Sequence, residues 1–485
     1  MKMRSLTATL LVSATLCLAA CGGGGSGGGA PATGDVAVVF TDGPTDQYER
    51  ILISMNRMTL IGPGGHEDLY NGPEVTFDLL EMSDWADLAF NTKVLAGQYN
   101  KIRIYLTKVV LVDTDDPGNS QQLRQLPANG KIDLNPRGPF EVSPDYTTVI
   151  KLDMDAKRSF QVVETGNDKL KLRPIIFVDV YQGSIVLPDR LVRVFGTVEP
   201  GSFENADNSD PSDDSFRLCN LEFISQSSGP SLGGADDCVR VYTDGSTSVF
   251  DDAGAEVDFS AVTEDQPLTA VGFVVGTDDS EAFLGLNAVV LELGDRQPDD
   301  TDGWGTIQGV VESDPAACLV VPADQCFDFD PEEGDPGVTT RMQPGTRVFR
   351  ADGVELSQSD VSMDDSGSID ALPVDSELSA ALVVLSTDLG SGIVSGVLDG
   401  TSEAAPYTVL EVMTDAGGLV NVCVDPDTSI VQVLVDDEVV TIFDLLDPGV
   451  LEEGSSIEAF GDADAPPAGC DMVADQVIVE PPASP

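Results

Sequence analysis

The chain has 485 residues, 41% of them hydrophobic, and its 83 Asp and Glu against 25 Lys and Arg give a formal net charge of -58. This length is too great for one hydrophobic core and this apolar fraction is too high for a disordered polyelectrolyte, so several packed domains are predicted. Such a charge argues against nucleic-acid binding and against electrostatic docking to an anionic membrane.

The N-terminus has the layout of a secretory signal. Lys2 and Arg4 form a positive segment, residues 6–18 are apolar, and small residues precede Cys21. The apolar run is shorter than the roughly 20 residues that a transmembrane helix needs. We therefore assign residues 1–20 to a signal peptide.

The segment LAACG around Cys21 resembles the bacterial lipobox. The resemblance implies cleavage before Cys21, lipidation of its thiol, and an exported protein that contacts the membrane through its lipid anchor. Gly22 at the next position resembles the pattern that permits sorting to the outer membrane, with the side that the body faces left open. Residues 21–34 then form the lipidated cysteine and a flexible, glycine-rich tether.

Residues 35–185 predict an antiparallel β-sandwich. Residues 36–40 form a continuous apolar strand that ends at a turn signal, whereas residues 102–106 and 149–154 alternate between apolar and polar side chains. A short helix is expected only over residues 83–90. Strands of period two between closely spaced turns favour a sandwich over βαβ units.

Four segments of this region carry a family resemblance: VVFTDGP (38–44), FDLL (77–80), LAGQYNKIR (95–103) and LRP (172–174). They resemble landmarks of the bacterial family catalogued as domain of unknown function 4382, over about residues 35–182. The resemblance implies a β-sandwich on exported bacterial lipoproteins. It implies no catalytic residues.

Three related β-units are predicted to follow, at residues 190–296, 303–388 and 393–482, with linkers near 187–190, 295–303 and 387–392. Their first strands contain Gly196, Gly309 and Gly396, which are expected at a bend or bulge. The repeat of about 90 residues is longer than solenoid periods, which favours tandem small domains. The units resemble the family catalogued as domain of unknown function 5666, which implies small β-barrel-like modules.

The six cysteines of the mature body predict disulfides, because an even count in an exported chain is typical of paired cysteines. Six cysteines permit 15 pairings. The spacing favours the sequential one, since each pair then lies inside one repeat unit. The residues are Cys219, Cys238, Cys318, Cys326, Cys423 and Cys470.

The sequence predicts no catalytic residue and no enzymatic activity. His66 is the only histidine, and it lies in a turn-like segment, so a multi-histidine metal site is excluded and nucleophilic triads are disfavoured. Glycoside hydrolysis by paired carboxylates remains a less favoured alternative, because sugar clefts usually carry aromatic platforms and the only tryptophans are Trp85 and Trp304. We expect Trp85 to be a packing residue.

A weak calcium site is the one candidate metal site, and no other cofactor is expected. Asp328, Asp330 and Glu332 place oxygen ligands at alternate positions. The segment fails the EF-hand pattern, because Glu333 and Thr339 stand where that loop needs Gly and Glu. A solvated acidic loop is the competing interpretation.

The sequence therefore predicts an envelope-anchored lipoprotein, on the outer membrane, that acts as a non-enzymatic binding or display module for an envelope protein or a glycan. The alternative is a structural acidic coat protein with weak divalent-cation binding, which the distribution of charge supports. From Ala351 to Pro485 the chain has 28 acidic residues and no Lys or Arg. No nucleic-acid partner is expected, and neither the ligand nor the oligomeric state is indicated.

Overall fold

A computed structural model of the chain describes residues 31–42, 48–113, 120–123, 126–136, 138–154, 176–182, 190–204, 214–230, 232, 238–275, 284–296, 303–331, 337–386, 392–404, 407–414, 417–433, 439–442, 453–462 and 466–480. Over these residues the fold is all-β, as predicted, with short 3-10 turns such as Leu80–Met82. None of the helices in the described ranges is long and apolar enough to cross a membrane. The predicted signal peptide and Cys21 lie outside these ranges.

The N-terminal region, called the sandwich below, forms β1 (Thr33–Thr41), β2 (Tyr48–Gly62), β3 (Gly65–Asp78), β4 (Ala86–Leu95), β5 (Gly97–Tyr99), β6 (Lys101–Asp113), β7 (Ser120–Gln122), β8 (Lys131–Leu134), β9 (Phe140–Val142), β10 (Thr148–Asp153) and β11 (Phe177–Tyr181). One sheet has the order β11-β10-β1-β4, and the other has the order β3-β2-β6-β7 with β8 beside β6. Apolar side chains from both sheets meet in one core. The β-sandwich is therefore confirmed.

Two details of the sandwich differ from expectation. Strand β1 pairs with β10 in parallel, although an antiparallel sandwich was predicted, because the chain crosses to the second sheet and returns between these two strands. The helix expected over residues 83–90 is absent from the described structure. The only helical turn there is the preceding Leu80–Met82, and β4 begins at Ala86, where pairing with β1 overrides any local helical preference.

The apolar run in β1 is explained by two cores on opposite faces of its sheet. Val36, Val38 and Phe40 face the core of the sandwich. Ala37 and Val39 belong to a second cluster, which is made mostly of residues beyond 190. Because successive side chains of a strand point to opposite faces, a strand buried on both faces has no polar positions.

The rest of the chain forms three units, called barrels 1 to 3 below. Barrel 1 contains β12 (Val192–Val198), β13 (Ser215–Glu222), β14 (Gln226–Ser228), β15 (Cys238–Tyr242), β16 (Ser248–Phe250), β17 (Glu256–Val257), β18 (Pro267–Val275) and β19 (Leu284–Leu293). Barrel 2 contains β20 (Gly305–Val311), β21 (Ala316–Ala317), β22 (Gln325–Asp330), β23 (Val338–Arg350), β24 (Glu355–Leu356), β25 (Ser366–Val374) and β26 (Glu377–Leu385). Barrel 3 contains β27 (Gly392–Ala404), β28 (Tyr407–Thr414), β29 (Leu419–Val433), β30 (Val439–Ile442), β31 (Ser456–Asp462) and β32 (Met472–Glu480).

The three barrels share one topology. Pairing closes each into a ring of five strands: β12-β13-β15-β19-β18 in barrel 1, β20-β22-β23-β26-β25 in barrel 2, and β27-β28-β29-β32-β31 in barrel 3. In each ring, as written, the third and fourth strands are parallel, and all other neighbouring strands are antiparallel. Strand closure leaves no free edge in the ring, so each unit can be a stable module.

Gly196, Gly309 and Gly396 occupy matching places in the first strands of the three rings. A β-carbon at these positions would lie 2.7, 2.1 and 2.3 Å, respectively, from a backbone carbonyl oxygen of the neighbouring strand. At Gly196 the pairing with β13 also shifts register. Glycine is therefore required because the backbone of the neighbouring strand approaches too closely for a β-carbon.

The predicted disulfides are present, one in each barrel. They join Cys219 to Cys238, Cys318 to Cys326 and Cys423 to Cys470, which is the sequential pairing that the spacing favoured. The bond in barrel 3 connects residues 47 positions apart, and it lies beside the apolar side chain of Val409.

Candidate functional site

The sandwich, barrel 1 and barrel 2 meet at the short segment of residues 80–87 in the sandwich. Strand β4 pairs in parallel with β12, with Ala86 opposite Val192, so one sheet runs from the sandwich into barrel 1. Strand β14 of barrel 1 pairs with β3 on the other sheet of the sandwich. We call this meeting point the junction.

Apolar packing at the junction joins all three bodies. One buried cluster contains Trp85 from the sandwich, Leu191 and Phe250 from barrel 1, and Trp304 and Phe349 from barrel 2. Both tryptophans of the chain are therefore in this cluster, and the indole N–H groups donate to the carbonyl oxygens of Glu81 and Leu293, each over 2.9 Å. Trp85 is a packing residue, as the sequence indicated.

Arg193 on β12 lies at the centre of the junction, and its side chain is 0% exposed. Its Nε and Nη2 atoms donate to the two carboxylate oxygens of Asp87 on β4, over 2.6 and 2.9 Å. Nη1 lies 3.4 Å from Oδ1 of Asp370 on β25. The guanidinium stacks on the ring of Trp85, 4.1 Å from its centroid. One arginine thus bonds to a carboxylate from the sandwich and a carboxylate from barrel 2.

Arg296, at the end of barrel 1, forms the second half of this network. Its Nη1 donates to Oε2 of Glu292 over 2.9 Å, and its Nη2 donates to Oδ1 of Asp370 over 2.5 Å. The hydroxyl of Thr306 on β20 also donates to Asp370, over 2.8 Å, and accepts from both arginines. Asp370 therefore bonds barrel 2 to both arginines of barrel 1.

Barrel 2 also holds the sandwich directly through neutral donors. Asp84 is buried, and its carboxylate accepts from the hydroxyl of Ser386 over 2.7 Å and from that of Ser368. The amide of Gln308 donates to the hydroxyl of Ser83 over 3.0 Å. These bonds join residues more than 200 positions apart, so the three bodies form one contact network.

Carboxyl groups at the junction carry perturbed pKa values. Burial raises the pKa of Asp84 and of Glu292, and the neighbouring charge of Asp370 raises that of Glu292 further. Burial also raises the pKa of Glu81 from 4.5 to about 7. The nearby charges of Asp78 and Asp87 raise the pKa of Glu81 as well, whereas those of Arg193 and Arg50 lower it.

A cavity of about 110 Å³ lies beside this network, between the sandwich and the two barrels. Its polar lining includes Glu81, Glu222, Gln226 and Thr306, and its apolar lining includes Phe223 and Trp304. A concave site with a few polar groups, one of them a carboxyl of raised pKa, is the default candidate for a binding site. We therefore take the junction cavity as the candidate functional site.

The residues that the sequence singled out lie elsewhere. Asp328 on β22 is exposed and accepts a hydrogen bond from the hydroxyl of Thr339 over 3.1 Å, whereas Asp330 is buried. Glu332 lies outside the described residues, so the calcium site stays a prediction. Among the residues that the structure describes, no group of three or more His, Cys, Asp or Glu side chains is arranged to hold a metal ion. His66 is exposed beside the turn between β2 and β3.

The junction residues were not anticipated, although the sequence contains a signal for them. Arg193, Glu292 and Asp370 each interrupt an apolar strand segment: LVRVF, LEL and IDA. A charged side chain at such a position usually faces solvent. Here these three side chains are buried at the junction, and the charges of Arg193 and Asp370 pair across the contact between modules.

These features define an all-β protein in which a sandwich and two barrels are joined through a buried ionic junction, followed by a third barrel of the same topology. Residues 33–174 match the model of a protein family described as Domain of unknown function (DUF4382). The match covers strands β1 to β10 of the sandwich and less than a third of the chain. A search of curated proteins finds none that matches the chain.

Proposed function

We propose that the chain is an envelope-anchored lipoprotein of the outer membrane whose sandwich, barrel 1 and barrel 2 act together as one non-enzymatic binding or display body for an envelope protein or a glycan. The observation that carries the proposal is the buried network around Arg193. It bonds one side chain to carboxylates of two other bodies, with side-chain exposures of 0% for Arg193, Asp87 and Asp370. Buried pairing of this kind holds the three modules in one fixed arrangement.

A rigid body on a tether suits binding better than catalysis. Binding surfaces and pockets that form between modules keep their shape only when the modules do not move relative to each other. The carboxylates of Asp87, Asp370 and Glu292 each pair with a guanidinium group, which supports a structural role for these three side chains. The glycine-rich segment after Cys21 supplies reach from the lipid surface without imposing a direction.

The membrane anchor and the binding role have separate tests. Cys21→Ser should move the full-length protein from the membrane fraction to the soluble fraction, because the lipid is the proposed attachment. For binding, affinity-tagged full-length protein is cross-linked in intact cells and captured. The comparison is between the wild type, Arg193→Met and the surface control Arg350→Met, whose side chain is 47% exposed.

The expected result is one envelope protein or glycan that is enriched with the wild type and with Arg350→Met, and is lost with Arg193→Met. Equal capture by all three proteins would show that the fixed arrangement is not needed for binding. The absence of any enriched component would contradict the binding role itself.

The acidic coat is a second candidate, supported by the exposed Asp328 on β22 and by the acidity of the region after Ala351. Its test is thermal unfolding of the full-length protein in calcium and in chelator, at matched ionic strength. A ligand that binds only the folded form raises the unfolding temperature by mass action. A calcium-specific rise that Asp328→Asn abolishes would support the coat and its weak cation site, whereas equal unfolding temperatures would contradict it.

A further inference from the structure

We propose that the junction cavity binds a small primary ammonium compound, with the carboxylate of Glu81 and the amide oxygen of Gln226 accepting its N–H groups. This inference rests on the proposed binding role and assigns a ligand class to the junction.

The unoccupied polar atoms of the cavity are acceptors. Oε1 of Gln226 is buried and accepts no hydrogen bond from any residue that the structure describes. The amide N–H groups of the same side chain are used, since they donate to the carbonyl oxygens of Gly229 and Pro230 over 3.1 and 2.9 Å. The two hydrogen bonds of Nε2 therefore fix the orientation of the amide while its oxygen has no donor. A buried acceptor without a donor costs free energy, which a donor from a ligand would recover.

Glu81 supplies the charge for such a ligand. Its backbone carbonyl accepts from Arg193 and Trp85, whereas burial and neighbouring charges, and no hydrogen bond, are the causes of the raised pKa of its carboxyl. The exposed carboxylate of Glu222 lies at the same cavity. The donors of the wall are engaged: Arg296 by Glu292 and Asp370, and the hydroxyl of Thr306 by Asp370. The free acceptor of Gln226 therefore favours a ligand that brings donors, and the carboxylates of Glu81 and Glu222 favour one that brings positive charge.

The size and the apolar walls restrict the ligand further. A volume of about 110 Å³ restricts the ligand to a small molecule. Phe195, Phe223 and Trp304 are among the lining residues, and aromatic side chains attract organic cations. Calcium instead takes 6–8 oxygen ligands, more than two carboxylates and an amide supply. A primary ammonium has three N–H donors, as in lysine, which matches the three acceptors better than a quaternary ammonium without donors.

The test is titration of the full-length protein with n-propylammonium chloride at pH 8, at constant ionic strength, followed by tryptophan fluorescence because Trp304 lines the cavity. We expect saturable binding of n-propylammonium, none of n-propanol, and binding of tetramethylammonium that is at least tenfold weaker. Glu81→Gln and Gln226→Leu should each weaken n-propylammonium binding at least tenfold. Glu74→Gln, an exposed carboxylate on β3, should leave it unchanged.

Binding should also weaken at least tenfold from pH 8 to pH 5.5, because Glu81, with a pKa of about 7, loses its charge over that interval. Equal responses to n-propylammonium and n-propanol, or equal affinities of the wild type and Glu81→Gln, would overturn the assignment. A loss of n-propylammonium binding alongside intact, Arg193-dependent capture of an envelope component would reject only the ligand class. Binding of n-propylammonium without capture of any envelope component would reject the macromolecular partner but support the ligand class proposed for the cavity.

Discussion

Replacement of Arg193 by Met tests whether the buried network holds the sandwich and the two barrels together. The substitution keeps a long, flexible side chain in place but leaves Asp87 and Asp370, both 0% exposed, without this counter-charge. Removal of one partner from a buried ion pair costs about 3–5 kcal/mol, because the remaining charge is uncompensated. The lost stacking on Trp85 adds a contribution of the order of 1 kcal/mol.

The assay is urea unfolding of the full-length protein, followed by tryptophan fluorescence. Trp85 and Trp304 are the only tryptophans, and both are buried in the junction cluster, so the signal reports on the junction rather than on barrel 3, which contains no tryptophan. The total loss is about 4–6 kcal/mol, so with a slope of about 2 kcal/mol per molar urea the midpoint should fall by about 2–3 M. The matched control is Arg350→Met, which breaks an exposed pair with Asp352 and should cost less than about 1 kcal/mol.

A double-mutant cycle separates the ion pair from a simple packing effect. If the stability loss in Arg193→Met comes from the uncompensated charge of Asp87, then adding Asp87→Asn to that variant should recover part of the lost stability. Arg193→Lys should lie between the wild type and Arg193→Met, since an ammonium keeps the charge but cannot bond both carboxylate oxygens as the guanidinium does. A midpoint shift for Arg193→Met no larger than that for Arg350→Met would refute the reasoning.

Three further predictions follow from individual features. Glu81 is ionised in the unfolded chain above about pH 4.5 but stays protonated in the folded protein up to about pH 7. The stability of the wild type relative to Glu81→Gln should therefore fall by about 3 kcal/mol as the pH rises across that interval. Urea titrations of both proteins at several pH values check the sign, and a stability difference that does not change with pH would contradict the prediction. Loss of the barrel 3 disulfide, with a sequence separation of 47, should cost about 4 kcal/mol of stability, because a longer closed loop restricts the unfolded chain more. Loss of the barrel 2 disulfide, with a separation of 8, should cost about 2.5 kcal/mol. Calorimetry on the two double Cys→Ser variants measures both costs. Gly309→Ala should lower the unfolding temperature of barrel 2, at a cost of about 1–3 kcal/mol, because the added β-carbon would lie 2.1 Å from a backbone oxygen. Gly305→Ala in the same strand is the control and should be tolerated, because its β-carbon would have no described atom within 4 Å.

The sequence was sufficient for features that depend on local pattern. Period-two strands, turn signals and repeated motifs predicted the all-β class, the sandwich and barrel-like units, and the spacing of the cysteines favoured the pairing that the structure contains. The glycines of the first barrel strands were predicted at a bend or bulge, and the structure shows close approach of a neighbouring backbone at all three and a register shift at Gly196. What failed was the short helix over residues 83–90, where pairing with β1 prevails over a local preference.

The junction could not be predicted because its chemistry arises from contacts between modules. A charged residue in a strand, such as Arg193, is read as solvent-facing when each module is considered alone. Its burial depends on Asp87, 106 residues earlier, and on Asp370, 177 residues later. Sequence separations of this size produce no periodic pattern from which the pairing could be predicted. The continuous apolar run of β1 was the better clue, since a strand without polar positions requires a second covering layer, and here barrel 1 supplies it.

A buried ionic junction and an apolar one would give these modules different properties. An apolar contact is tolerant of small shifts, because dispersion and burial have no preferred direction. A guanidinium bonded to Asp87 through two parallel contacts fixes both distance and orientation, and the penalty for misplacing either charge is large. The same constraint fixes the cavity at the junction, because Glu81 and Trp304, which line it, are bonded to or packed against the network. The residues that join the modules are therefore also those that determine the shape of the proposed binding site.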